Sequence, residues 1–86
     1  MRTSKKQVQG IFEVFVKAIH GHVAKDYKDV GGYRLQYHFN QGYSIEQIYN
    51  EQGGITEPFG STIRKAEEMW YTLYFAMDVI RVLKGK

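Results

Sequence analysis

Apolar residues recur with two different periods along the chain, and the changes of period mark its elements. Val8, Ile11, Phe12, Phe15, Ile19 and Val23 repeat at helical spacing, with Val14 and Val16 widening the stripe. Ser4-Lys-Lys-Gln7 reads as a capping box before that stripe, so a first helix is predicted from about Lys5 to about Ala24. Gly10 and Gly21 weaken it, the second near its end. The polar run Lys25 to Asp29 and the pair Gly31-Gly32 then read as a connecting loop.

The period changes to two at Tyr33. Tyr33, Leu35, Tyr37 and Phe39 share one face of a predicted strand, and Arg34, Gln36 and His38 share the other. Asn40-Gln-Gly42 supplies a hairpin turn, and residues 43–49 return as the partner strand. The alternation breaks at Glu46-Gln47, which predicts either a bulge or a strand covered on both sides. Residues 50–54 turn the chain again, and residues 55–57 can add a short third strand at the sheet edge, stopped by Pro58, for a meander of two to three strands.

A last helix is predicted from Ser61 or Thr62, either of which can cap it, to about Leu83. Ile63, Ala66, Trp70, Leu73, Met77 and Ile80 make one stripe, and Met69, Leu73, Ala76, Ile80 and Leu83 make a second. Tyr71, Phe75 and Val82 fall on the remaining face beside Arg64, Asp78 and Arg81. A helix this apolar around its circumference is normally buried from more than one side. A small sheet and one other helix cannot cover it, so self-association as a symmetric dimer or tetramer is expected through Met69, Trp70, Tyr71, Tyr74, Phe75 and Met77. The expected fold is α+β, in the order α-β-β-(β)-α, with both helices on one face of an antiparallel meander. Its solvent face carries Arg34, Gln36, His38, Ser44 and Glu46.

Composition narrows the class. Eighty-six residues make a single domain, and 43% hydrophobic residues argue for a folded chain. Without cysteine there is no disulfide, thiolate metal site or Cys nucleophile. The basic start is followed by an apolar run broken by Gln9, Glu13 and Lys17, so neither a signal peptide nor a membrane span is expected. The net charge of +3 invites a nucleic-acid reading. Five of the twelve Lys and Arg residues are Arg2, Lys5, Lys6, Lys84 and Lys86, which leaves seven against nine Asp and Glu in the body. Nucleic acid is therefore disfavoured as a partner, and the tails read as solubilising.

Three kinds of chemistry are open to these residues. The amides of Gly53, Gly54, Ser61 and Thr62 beside a helix N-terminus can bind an anion, with Arg64 and Lys65 as counter-charges in the first turn. The plainer alternative is that the glycines serve tight turns and the cations reach Glu67, Glu68 or solvent. Neither phosphate-loop pattern, G-x-x-x-x-G-K-[ST] or G-x-G-x-x-G, is present. Among the many aromatic residues, Phe59 and Tyr43 are placed to stack on a ligand, with Asn50 or Thr56 reading a base edge. Most strand tyrosines are otherwise ordinary cross-strand pairs. His20 and His22, two apart, point to different helix faces and make a poor metal pair. No convergent acid–base set is visible, so neither catalysis nor a cofactor is expected.

Two segments resemble a family of short proteins encoded by tailed bacteriophages. One is Tyr37-His-Phe-Asn-Gln-Gly-Tyr-Ser-Ile-Glu46, and the other runs from Asn50-Glu-Gln-Gly-Gly through Pro58-Phe-Gly60 to Ala66, Glu68 and Met69. The likeness covers roughly residues 33 to 73. The family pattern has Arg three places after Pro-Phe-Gly, where this chain has Ile63, with Arg64 one place later. The resemblance implies a phage origin and a host-cytoplasmic location. It also implies a role in countering host defence, as in sponges that bind cyclic-nucleotide immune signals without cleaving them. Two rivals remain open. The element order is also that of double-stranded-RNA-binding domains, whose last helix opens on lysines much as Arg64-Lys65-Ala66 does here. Alternatively, Tyr71, Phe75 and Val82 dock on a host protein.

Overall fold

The structure, a computed structural model, describes residues 3–85. Helix α1 spans Lys5–Ala18, followed by strands β1 (Tyr33–His38), β2 (Gly42–Ile48) and β3 (Ile55–Thr56) and helix α2 (Ala66–Lys84). The strands form one antiparallel sheet in the order β1-β2-β3. The expected α+β architecture is the one observed.

The capping box of α1 forms as read: the Ser4 hydroxyl accepts from the Gln7 amide, and the Gln7 side chain accepts from the Ser4 amide. The helix ends six residues earlier than expected, at Ala18 rather than Ala24. His20, not a glycine, takes the left-handed conformation at φ 60°. The His20 amide then donates to the Lys17 carbonyl and the Gly21 amide to that of Val16, which reverses the chain. Residues 22–24 leave the helix altogether. They lie parallel beside β1, where the Tyr33 amide donates to the His22 carbonyl and the Ala24 amide to that of Tyr33.

β1 and β2 pair in continuous register from Tyr33 opposite Gln47 to His38 opposite Gly42. There is no bulge at Glu46-Gln47, which pair in register and are half-buried; the consecutively buried residues are Tyr43, Ser44 and Ile45, just before them. On the outer face the Arg34 guanidinium donates to the Glu46 carboxylate at 2.6 Å, and His38 bonds Ser44 at 2.8 Å. On the inner face Tyr43 and Ile45 join Val8, Ile11, Phe12, Phe15, Val16, Met69 and Leu73 in one core. The helices pack more extensively on each other than either does on the sheet.

α2 also departs from expectation. It starts at Ala66, and Lys65 is its N-cap, with no side-chain capping bond. Ser61 and Thr62 therefore do not cap it. The cause is long-range: Tyr43 and Arg64 exchange backbone hydrogen bonds of 2.6 and 2.8 Å, which holds the chain extended up to the helix. A Cβ on Gly42 would collide with the Arg64 carbonyl, so this close approach requires the glycine. Between β3 and this bridge, residues 57–63 swing away from β2, and Phe59 packs its ring 5.4 Å from that of Phe15. The two helices run parallel: the Lys84 ammonium donates to the Ala18 carbonyl at their C-terminal ends, and both N-termini lie at the β1–β2 turn.

Candidate functional site

The expected ligand residues do not form one site. Asn50, Gly53, Gly54 and Thr56 lie at one end of β2 and Tyr43, Arg64 and Lys65 at the other, about 20 Å away at the usual rise of a strand, with Phe59, Ser61 and Thr62 on the excursion between them.

At the far end, the glycine turn is engaged with itself. The Asn50 carboxamide oxygen accepts from the amides of Gln52 and Gly54 at 3.0 and 2.8 Å, and the Gly53 amide donates to the Asn50 carbonyl at 3.4 Å. Asn50 is thus the hinge of its own turn, and its acceptor is occupied. Gly53 has a φ of +85°, which fits the plainer reading in which the glycines serve the turn. The Thr56 hydroxyl approaches the Gln47 carbonyl at 3.5 Å on the sheet edge. Phe59 is partly buried on the core. Arg64 does not reach Glu67 or Glu68 but turns back, donating to the Phe59 carbonyl at 3.4 Å. Ser61 and Thr62 are exposed in the excursion and touch neither helix terminus. Arg64 and Lys65 precede the helix, so they are not the cations in its first turn that the sequence led one to expect.

At the near end the structure does assemble a cleft. Tyr37, Asn40, Gln41, Gly42, Tyr43, Lys65 and Ala66 line a cavity of about 250 Å³. Tyr43 is 4% exposed, so its ring is part of the core and not free to take a base on its face. Burial pushes its phenol above the ordinary tyrosine range, and neighbouring Tyr37 adds to that effect. Tyr37 stands 5.2 Å from it, ring to ring, and is half-exposed. The Lys5 ammonium lies 4.8 Å above the Tyr37 ring. Asn40 holds the turn in the left-handed region at φ 59°, and the Gln41 amide donates to the His38 carbonyl.

Both helix N-termini point at this end of the molecule, and their first turns differ. That of α2 carries Glu67 and Glu68, which balance its dipole. That of α1 carries no acid, and Lys5 and Lys6 occupy it. Cations set against a helix dipole are thus present, but on α1. Of the residues expected to bind ligand, only Tyr43 and Lys65 line this cleft; Tyr37, Asn40, Gln41 and Lys5 were not anticipated. A signal for them existed. If every connection in an α-β-β-β-α chain reverses direction, both helices start at the β1–β2 turn.

The residues expected at an oligomer interface also divide. Met69 is fully buried in the monomer core, and Trp70 and Met77 are partly buried against it. Tyr71, Tyr74 and Phe75 are exposed, with the Tyr74 ring stacked on Trp70 at 5.2 Å. His22 bonds the Asp29 carboxylate at 3.0 Å. Among the described residues, no group of three His, Asp or Glu side chains could hold a metal, and no helix is long and apolar enough to cross a membrane. Compared with protein-family models, with curated proteins and with solved structures, the chain finds no match.

Proposed function

We propose that this is a non-enzymatic binding protein that holds an anionic nucleotide in the cleft at the β1–β2 turn. The observation that carries the reading is a cleft at the uncapped start of α2, lined by Lys65 and by half-exposed Tyr37, over whose ring the Lys5 ammonium of α1 lies. A phosphate meets the uncapped amides at the start of α2 and the two ammonium groups, and a base stacks on Tyr37 where Lys5 now lies. The volume is slightly below the usual range of about 300–1,000 Å³ for small-molecule sites, which suits one phosphate-bearing nucleoside unit at a time. The resemblance at residues 33 to 73 extends the proposal to a cyclic-nucleotide immune signal, sequestered in the host cytoplasm by a phage-encoded protein.

Thermal unfolding against cyclic di- and trinucleotides, mononucleotides, inorganic phosphate and nucleic acids tests the proposal, because ligand bound only to the folded state raises the midpoint. One nucleotide is expected to raise it and to be recovered intact. Replacing Lys5 and Lys65 together with Ala should weaken binding about tenfold or more, since each charged hydrogen bond is worth about 1.5–3 kcal/mol. No shift with any nucleotide, or equal affinity in the double variant, removes the reading.

A second reading is favoured by the same geometry. Parallel helices on one face of a three-stranded meander, with Lys5, Lys6 and Lys65 at the hairpin end, also suit the phosphates of duplex RNA. Its signature is a steep loss of affinity with salt, because polyanion binding releases counterions.

A further inference from the structure

We infer that the outer face of α2 is the contact between two copies of this chain, arranged antiparallel about a two-fold axis beside Tyr74 and Phe75. At about 100° per residue, Tyr71, Phe75 and Val82 fall within roughly 40° of one another, on the side opposite Met69 and Leu73. All three are more than half exposed, Phe75 the most at 69%. The charges flanking this seam select both the partner and its direction. Glu67 stands seven residues before Tyr74 and Arg81 seven after it, on the same flank of the helix. An axis at that point places Glu67 level with Arg81 of the partner subunit, and the reciprocal pair forms by symmetry. Asp78, already paired with Arg81 within its own helix, completes a group of alternating sign. Antiparallel packing also sets the two helix dipoles head to tail. A parallel arrangement would leave Glu67 level with its own copy on the opposite flank, far from Arg81 of the partner subunit, and would align the dipoles. The apolar seam supplies the adhesion, and the exposed charges supply the register.

Sedimentation equilibrium of the full chain, with three variants, tests this. The wild-type protein is expected to dimerise reversibly at micromolar concentration. Phe75→Glu sets two carboxylates side by side on the axis and should give a monomer. Arg81→Glu opposes Glu67 of the partner subunit and should raise the dissociation constant about tenfold. The charge-swapped double variant Glu67→Arg/Arg81→Glu should restore most of the loss. All three positions changed are on the exposed side of α2, and unchanged far-ultraviolet dichroism shows that each variant folds. A wild-type monomer at high micromolar concentration overturns the inference. So does a dimer indifferent to Phe75→Glu, or a double variant no better than Arg81→Glu alone.

Discussion

Single residues set the chain's reversals, and two of them occupy places where their side chains matter in opposite ways. His20 holds a left-handed conformation that costs an ordinary L-residue about 1–2 kcal/mol relative to the helix. His20→Gly is therefore expected to stabilise the protein by about 0.5–1 kcal/mol, less the entropy that glycine adds to the unfolded chain, as measured by urea denaturation. Gly42→Ala should do the reverse. Its Cβ would strike the Arg64 carbonyl at φ +132°, so a loss of about 2–3 kcal/mol or more is expected, with the Tyr43–Arg64 bridge broken. Two titrations belong to this scale as well. The Lys25 amide and then His22 hold the Asp29 carboxyl below its ordinary 3.8. The native state thus favours the ionised form, and the stability it adds is present above about pH 4 and lost as pH falls through the lowered native value. Asp29→Asn should flatten that acid limb of a stability–pH curve. For Tyr43 the native value is raised, so its contribution is complete below about pH 10 and lost above it. Tyr43→Phe should move alkaline unfolding to higher pH.

At the scale of elements, the start of α1 was legible because its cap is local: Ser4 and Gln7 are three residues apart and satisfy one another. The two longer strands followed from alternation and one turn, and they pair in continuous register. The start of α2 was not legible, because it is fixed by a partner 21 positions away, the bridge from Arg64 to Tyr43. Two hydroxyls in sequence, Ser61 and Thr62, offered a local cap that the extended bridge overrode. The end of α1 is not legible for a related reason: residues 22–24 keep the spacing of a helix in sequence but satisfy backbone groups on β1. The uncapped α2 yields a prediction in which stability and binding part company. Lys65→Asp supplies the missing N-cap and should stabilise the fold by about 1 kcal/mol, while placing a carboxylate in the proposed phosphate position and abolishing nucleotide binding. Calorimetry of one variant reads both, so lost binding there is not lost folding.

For the whole molecule, the candidate site was only half visible. The sequence suggested anion-binding amides, cations and aromatics, but apart from Tyr43 it drew them from Asn50 to Lys65 as one continuous stretch. Folding sends that stretch along the length of β2, so its glycines end at one pole and Lys65 at the other. Lys5 comes to Lys65's end from the opposite terminus of the chain, because the helices are parallel. Nothing local in the sequence records that meeting. The excess of apolar surface on the last helix was legible, but its assignment was not: Met69 serves the monomer, and Tyr71 and Phe75 are left outside.

The packing of α1 chiefly on α2 also has a consequence in time. The ribosome makes these two elements first and last, and the Lys84–Ala18 bond spans 66 positions. At about 5–20 residues per second, α1 waits roughly 3–13 s for its partner, with Phe12 and Phe15 still uncovered. The sheet alone offers α1 little, so the chain has no stable stopping point before its last helix leaves the exit tunnel. Nascent chains stalled after residue 63 should therefore remain protease-sensitive, whereas chains with α2 fully emerged should resist. Until then the apolar face of the first helix stays open to chaperones, and a chain truncated before α2 should yield no folded partial protein.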